Sequence, residues 1–180
     1  LFSEAKIKNL INKSIIADIR NKNKLFSELK KSKANIVFHL AAQALVIESY
    51  LNPIDTFKTN IIGTANILDC ISKINSIKSS VIITSDKVYD IKKNKIFKES
   101  DLLGGIDPYS ASKVCSEHVF LAYVNSFFKN SRKRSIATAR AGNVIGGGDY
   151  SKDRLIPDII KSVKLKRKIL IRNPKSIRPW

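Results

Sequence analysis

The stretch NIVFHLAA, residues 35–42, is a clear indication of the fold class of this chain. It is a short, nearly continuous apolar run with branched and aromatic side chains, which is typical of a strand buried in a parallel sheet. Working outward, residues 21–33 are predicted as an amphipathic helix, and residues 80–85, SVIITS, as the next strand. Between the two strands, residues 53–75 begin with a proline and carry apolar side chains at helical spacing, so we expect a long helix there.

The rest of the chain continues this alternation of strands and helices. Further elements are predicted as strands at 14–18, 135–145 and 169–172, as helices at 108–130 and 155–168, and as a loop at 90–107. Alternation of this kind predicts an α/β protein with a doubly wound parallel sheet and helices on both faces. Because ligands of such sheets bind beyond the carboxyl ends of the strands, we expect the functional site at that edge.

The glycine-rich turn that opens a dinucleotide-binding fold is missing from this sequence. The first glycine is Gly63, well beyond the first predicted strand. We therefore expect the first strand–helix–strand unit of the fold to lie outside these 180 residues. The chain contains no methionine, starts with a leucine and stops at Trp180, so it is interpreted as an internal fragment.

The net charge of +18 raises the possibility of a nucleic-acid-binding domain. Of the 33 basic residues, however, 25 are lysines and 8 are arginines, and the lysines are scattered among isoleucines and asparagines. A surface that binds nucleic acid would interleave arginines with aromatic residues on one face, and no such pattern is present. Solvated lysines on helix faces are the favoured interpretation.

The two cysteines, Cys70 and Cys115, lie far apart in predicted helices. Their spacing indicates neither a metal site nor a disulfide framework. No apolar run reaches 18 residues, and the start does not resemble a signal peptide. We expect a soluble cytoplasmic protein with no metal, membrane or nucleic-acid partner.

Tyr109 and Lys113 lie four residues apart, which places them on one face of a predicted helix. An ammonium near a phenol favours the phenolate and lowers its pKa, so such a tyrosine can take a proton from a sugar hydroxyl. The same spacing also arises by chance on exposed helices. The start of this helix after the strand at 80–85 favours the catalytic interpretation.

Ser85, Asp86 and Lys87 bring a hydroxyl, an acid and an amine to the end of one predicted strand. Ordinary turn chemistry explains such residues, but Asp86 could also protonate a leaving hydroxyl while Lys87 removes a proton next to a carbonyl. Asp18 ends another predicted strand. Its carboxylate could accept hydrogen bonds from adenine or ribose, or equally cap the helix that follows.

Gly146–Gly148 form a flexible loop after Asn143 that suits close approach of the backbone to phosphates. Arg154, Arg172 and Arg178 could clamp a diphosphate through two-pronged hydrogen bonds, although each taken singly is an ordinary surface arginine. His39 lies in an apolar strand and is interpreted as a structural, hydrogen-bonded histidine.

Together these residues resemble the extended short-chain dehydrogenase/reductase superfamily, and within it the CDP-glucose 4,6-dehydratases. The resemblance rests on HLAAQ (39–43), TFKTNIIGT (56–64), TSDKVY (84–89), LGGIDPYSASK (103–113), ARAGNVIGGGDYSKDRLIPD (139–158) and IRNPKSIRPW (171–180). The GGGD, DRLIPD and RPW runs are specific to this branch. Lys87 is the discriminating position, since the dTDP-glucose dehydratases carry a glutamate there.

The resemblance implies a Rossmann-like sheet, NAD as the cofactor, and conversion of CDP-glucose to CDP-4-keto-6-deoxyglucose for deoxysugar synthesis. It divides the chain into a partial NAD-binding domain, residues 1–145, and the start of a nucleotide-sugar-binding region, residues 146–180. It also implies a homodimer built through the helices at 53–75 and 108–130.

The resemblance further assigns a role to each matching residue. Ser85 orients the C4 hydroxyl, Asp86 is the general acid, and Lys87 is the base; Tyr109 and Lys113 are the proton-abstracting pair and also contact the cofactor. The implied cofactor contacts are Asp18, Ile19, Leu40, Ala41, Ala42, Gln43 and Thr59. The implied substrate contacts are Asn143, Arg154, Leu155, Arg172 and Arg178.

The sequence departs from this branch at Ala44, where proline is usual, and at Ile47, where arginine is usual. Ile47 removes a cation near the substrate. Three alternatives stay open: a dehydratase for dTDP- or UDP-glucose, a nucleotide-sugar 4-epimerase or reductase, and an inactive truncated product.

Overall fold

The computed structural model describes residues 2–3, 5–90, 96–129 and 134–176. The chain forms two compact units. One combines Leu1–Ile16 with Gly142–Trp180, and the other is Ala17–Ala141.

The Ala17–Ala141 unit is an α/β structure. Its strands are β1 (Ile36–His39), β2 (Ser79–Ile83) and β3 (Ser135–Ala139). Its α-helices are α1 (Lys22–Ser32), α2 (Val46–Leu51), α3 (Pro53–Phe57), α4 (Gly63–Lys73) and α5 (Pro108–Tyr123). Short π-helical turns span Lys58–Ile62 and Val124–Phe128, and a 3-10 turn spans Asp86–Val88.

The three strands are parallel and lie in the order β1-β2-β3. The register places His39 beside Ile82, and Ile82 beside Thr138. Each connection steps to the next strand in the same direction. Right-handed crossovers of this kind place α4 and α5 on the same face of the sheet. The structure thus confirms the predicted parallel α/β sheet.

The hydrophobic core lies between this face of the sheet and the helices. Val37 and Ile82 from the strands pack with Leu68 and Ile71 of α4 and Phe120 of α5. Burying a side chain of this size stabilises the fold by about 2 kcal/mol. The core therefore fixes the helix that carries the proposed catalytic tyrosine against the strand that ends at the proposed acid and base.

Side-chain hydrogen bonds stabilise one end of each of two main helices. Asp107 accepts a hydrogen bond from the backbone N–H of Ser110 and precedes Pro108, so α5 begins with both an N-cap and a first-turn proline. The guanidinium of Arg134 donates to the carbonyls of Ile71 and Ser72, which stabilises the carboxyl end of α4.

Several predicted elements differ from the structure. The strand predicted at 14–18 is wrong: these residues form no strand, and Ile16 is fully exposed. A strand exists only where a neighbour completes its hydrogen-bond ladder, and in the described part of the chain none lies beside it. The strand predicted at 169–172 is wrong as well, and the strand predicted from residue 135 ends at Ala139 rather than 145.

The predicted helices agree better with the structure, which differs from the prediction in where the helices end and in the π-helical turns within or after them. The helix predicted at 53–75 is α3 and α4 joined by the π-helical turn. The helix predicted at 108–130 is α5 continued by a π-helical turn to Phe128. The predicted helix at 155–168 is α6 (Leu155–Lys164), which lies in the unit formed by the two ends of the chain. None of the helices in the described ranges is long and apolar enough to cross a membrane.

Candidate active site

The turn after β2 carries three of the predicted catalytic residues. Its backbone runs beside the continuation of β3: the N–H of Thr84 donates to Ala139 at 2.9 Å, and the N–H of Asp86 donates to Ala141 at 3.0 Å. The Ser85 hydroxyl donates to the Asp86 carboxylate at 3.1 Å. The same hydroxyl oxygen accepts from the backbone N–H of Lys87 at 3.3 Å. The turn therefore holds a hydroxyl, a carboxyl and an amine in one short, hydrogen-bonded segment.

Helix α5 supplies the other two predicted catalytic residues, and both are buried. Tyr109 is 9% exposed and Lys113 is 7% exposed, so they are not a chance pair on a solvated helix face. The Lys113 ammonium donates to the carbonyl of Ile83 at 3.2 Å, which places it at the end of β2. Burial lowers the pKa of Lys113 to about 8. The backbone N–H of Tyr109 is held by the hydroxyl of Ser49 at 3.2 Å.

His39 ends β1 at the same edge of the sheet. Its ring nitrogen Nε2 lies 3.1 Å from the hydroxyl of Thr64 in the buried interior. Burial, together with the positive charge of Lys113, lowers the pKa of His39 to about 4. The ring is therefore neutral near neutral pH and serves as a packed, hydrogen-bonded group.

Asn60 was not singled out from the sequence, yet it links two parts of the site. It lies in the π-helical turn and is 1% exposed. Its side chain accepts from the backbone N–H of Gln43 at 2.8 Å and donates to the carbonyl of Gln43 at 3.0 Å. It also donates to the hydroxyl of Ser112, which in turn donates to the carbonyl of Tyr109 at 2.7 Å. π-Helical turns often occur at functional sites, but this geometry is visible only in the structure, so the sequence alone gave no signal for Asn60.

The residues predicted to contact a cofactor occupy two places. Leu40 and Ala41 are exposed after β1, and Gln43 lies in the loop that Asn60 holds; Ala42 and Thr59 are half-buried. Ile19 packs against α4, where a Cβ added to Gly63 would lie 2.7 Å from its Cγ2 atom. Part of the set of residues predicted to contact the cofactor therefore lies at the carboxyl ends of the strands.

Asp18 is already engaged within the structure. Its carboxylate accepts hydrogen bonds from the backbone N–H of Arg20 at 2.8 Å and from Nη2 of Arg20 at 2.6 Å. These hydrogen bonds lower the pKa of Asp18. Because a carboxylate has about four acceptor positions, a further donor would share them with Arg20.

The predicted substrate contacts fall in the other compact unit. Arg154 is the residue before α6 and lies 3.5 Å from the carboxylate of Asp149. Arg172 pairs with Asp153 and, at 3.0 Å, with Asp158 in the first turn of α6. The start of α6 therefore brings Arg154, Leu155 and Arg172 together.

The structure describes one of the remaining two predicted substrate contacts, Asn143. Asn143 is exposed in the segment before α6. Arg178 lies outside the described residues.

In the ranges that the structure describes, no group of three or more histidine, cysteine or acidic side chains is arranged to hold a metal ion. Cys70 is buried and Cys115 is half-buried, and both are free thiols.

The chain belongs to the GDP-mannose 4,6 dehydratase family, whose family model matches residues 3–180. Its sequence is 46% identical to CDP-glucose 4,6-dehydratase of Salmonella typhimurium over 185 residues, which covers 100% of this chain and 51% of that protein. The chain spans about half the length of the first curated relatives it matches.

Two solved structures show the same fold. A dTDP-glucose 4,6-dehydratase from Streptomyces venezuelae with NAD bound is 25% identical, with a TM-score of 0.71 over 83% of this chain and 44% of that one. A UDP-glucuronic acid 4-epimerase from Bacillus cereus is 24% identical, with a TM-score of 0.77 over 93% of this chain and 52% of that one. These similarities confirm the Rossmann-like fold and the superfamily that the sequence motifs indicate.

Proposed function

We propose that the whole protein is an NAD-dependent nucleotide-sugar 4,6-dehydratase that converts CDP-glucose to CDP-4-keto-6-deoxyglucose. The observation that carries this proposal is the Ser85–Asp86–Lys87 turn, which lies at the end of β2 together with the buried ammonium of Lys113. An acid and an amine in one rigid turn suit elimination, in which one group protonates the departing oxygen and another removes a carbon-bound proton.

The residues present fit NAD in part. Leu40 and Ala41 leave an apolar, exposed stretch directly after His39, and Asn60 fixes the loop at Gln43 from behind. A planar ring can pack on such a surface at the carboxyl ends of the strands. Asp18 would contact the adenine half only by sharing its carboxylate with Arg20. When bound, NAD supplies reversible hydride transfer, first from C4 of the sugar and finally to C6.

The chain's own side chains move the protons. Tyr109 takes the proton of the C4 hydroxyl, which Ser85 orients, and Lys113 holds a positive charge near the phenol. Oxidation at C4 leaves a ketone that acidifies the neighbouring C5–H bond. Lys87 then removes the C5 proton while Asp86 protonates the C6 hydroxyl, which leaves as water. The proton held by Lys87 returns to C5 when hydride reaches C6, which completes the 6-deoxy product.

The substrate's diphosphate is proposed to bind the arginines at the start of α6. Arg154 and Arg172 offer planar guanidinium groups, and the amino end of a helix favours negative charge. Both arginines are paired with aspartates, so a diphosphate would compete with carboxylates for them. Asn143, Leu155 and Arg178 are proposed as further substrate contacts on the basis of the resemblance alone.

The nucleotide preference rests on similarity to the Salmonella CDP-glucose 4,6-dehydratase and on Lys87. The test incubates the whole protein separately with CDP-glucose, dTDP-glucose and UDP-glucose and measures product mass. Water loss from CDP-glucose alone supports both the reaction and the substrate. Water loss from another nucleotide sugar keeps the mechanism and overturns the substrate. Inversion at C4 without loss of water favours a 4-epimerase, the activity of the structural relative from Bacillus cereus.

A homodimer is also proposed. Exposed apolar side chains lie on the helices expected at its interface, among them Ile54 at 63%, Ile62 at 52% and Leu121 at 47%. Exposed apolar side chains on these helices would be covered at such an interface. Sedimentation of the whole protein should show a dimer that Leu121→Glu dissociates, while Ile96→Glu in an exposed loop serves as the matched control. A monomeric parent protein would contradict this proposal.

We propose that the whole protein acts in the cytoplasm, the compartment expected from its sequence.

A further inference from the structure

A buried ion pair joins α5 to the end of β3. Glu117 of α5 is 2% exposed, and Arg140 directly follows β3. Nε of Arg140 lies 3.1 Å from Oε1 of Glu117, and Nη2 lies 3.2 Å from Oε2. A buried charge is costly unless it is both paired and hydrogen-bonded, and this two-pronged contact satisfies both conditions.

Two threonine hydroxyls complete the environment of the carboxylate. Thr84 donates to Oε1 of Glu117 at 2.5 Å, and Thr138 donates to Oε2 at 3.3 Å. With the two donors from Arg140, the carboxylate accepts four hydrogen bonds, which about exhausts its capacity. The ends of β2 and β3 therefore meet α5 at one fully satisfied acid.

The Glu117–Arg140 pair holds Thr84, the residue that precedes the proposed catalytic turn. Thr84 is 4% exposed and immediately precedes Ser85. One helical turn earlier in α5, Lys113 donates to the carbonyl of Ile83. The helix thus contacts two successive residues of the strand end through side chains four residues apart.

The same pair also contacts the chain just beyond the turn, at Tyr89. Tyr89 follows the 3-10 turn at Asp86–Val88, and the guanidinium of Arg140 lies over the Tyr89 ring, 4.9 Å from its centroid. The opposite arm of Arg140 donates to the carbonyl of Glu99 at 3.0 Å. Tyr89 stacks on Phe97 with 4.7 Å between the ring centroids. A planar cation stacked on a ring and fixed by hydrogen bonds restrains that ring.

We propose that Glu117 and Arg140 are positioning residues that hold the Ser85–Lys87 turn at both ends, through Thr84 and Tyr89. The inference deepens the proposed function and rests on it, because the turn is where the proposed acid and base lie. Neither residue is assigned a step in the proposed chemistry. Rigid support of this kind matters because a displacement of about 1 Å at reacting groups can lower a rate by about a hundredfold.

The test compares two isosteric substitutions, each of which removes one threonine hydroxyl that donates a hydrogen bond to the Glu117 carboxylate. Thr84→Val detaches the residue next to the turn, whereas Thr138→Val detaches a residue of β3 and is the matched control. Thr84→Ser keeps the hydroxyl and should restore the behaviour of the parent protein. Both valine variants keep the Glu117–Arg140 pair, so the fold is expected to persist.

The first measurement needs no substrate. Amide hydrogen exchange at Asp86, Val88 and Tyr89, whose N–H groups hydrogen-bond within or beside the turn, should become about tenfold faster in Thr84→Val. Thr138→Val should change these amides by less than about threefold. Equal exchange in the two variants overturns the inference, whatever the protein catalyses.

The second measurement follows water loss with substrate carrying deuterium at C5. Thr84→Val should lower kcat by about tenfold to a hundredfold, with KM within about twofold and a larger isotope effect, because removal of the C5 proton becomes slower. A purely structural role predicts equal loss of kcat in both valine variants and an unchanged isotope effect. Faster exchange in a protein that eliminates no water supports the positioning role and rejects the dehydratase.

Discussion

Acidification tests the buried state of His39 quantitatively. Its pKa falls from 6.5 to about 4 because burial and the charge of Lys113 disfavour the imidazolium. In the unfolded chain the ring binds a proton at higher pH than in the folded protein. The stability contributed by His39 is therefore present above about pH 6.5 and lost as the pH falls towards 4. A difference of about 2.5 pKa units, at about 1.4 kcal/mol each, amounts to about 3.5 kcal/mol in full, of which about 3 kcal/mol is lost by pH 4.

The assay is urea unfolding of the parent protein and of His39→Gln at a series of pH values from about 7 to 4. Glutamine does not titrate and can still bond to the hydroxyl of Thr64, the partner of His39. The other titrating groups are common to both proteins, so the difference between their free energies of unfolding isolates His39. We expect the parent protein to lose about 3 kcal/mol relative to the variant across this range. A difference that stays constant with pH would refute the argument.

Four further outcomes are expected. Burial lowers the pKa of Lys113 to about 8, so kcat/KM should fall as the pH rises through that value and the ammonium loses its charge. A pH profile that stays flat there would contradict the proposed role of the Lys113 charge beside Tyr109. Lys87→Ala should slow elimination by about a hundredfold or more while NAD binding, measured by calorimetry, is spared; normal turnover would remove Lys87 as the base. Tyr109→Phe should nearly abolish cofactor reduction in single-turnover absorbance, and unchanged reduction would exclude the tyrosine. Asn60→Ala should lower the free energy of unfolding, measured in urea, by about 3 kcal/mol. The reason is the loss of three side-chain hydrogen bonds of about 1 kcal/mol each. A loss below about 1 kcal/mol would show that other contacts hold the Gln43 loop.

Local patterns in the amino-acid sequence predicted the class of fold and the position of the proposed catalytic turn. Residues 35–42 predict a buried strand, and β1 occupies Ile36–His39 within that stretch. The segment from Ser85 to Lys87 was predicted at a strand end and lies directly after β2. Such features follow from apolar periodicity and from the residues themselves, which are local properties of the chain.

The distant residues that support the turn are identified by their contacts in the folded protein. Glu117 and Thr84 are 33 positions apart, and Asn60 and Ser112 are 52 apart, yet each pair is hydrogen-bonded in the interior. The strand predicted at 14–18 shows the converse, since its residues suit a strand but form none in the described structure. Hydrogen-bond partners, burial and the resulting pKa of His39 depend on packing between elements, and a local pattern carries no information about which element comes to lie beside it.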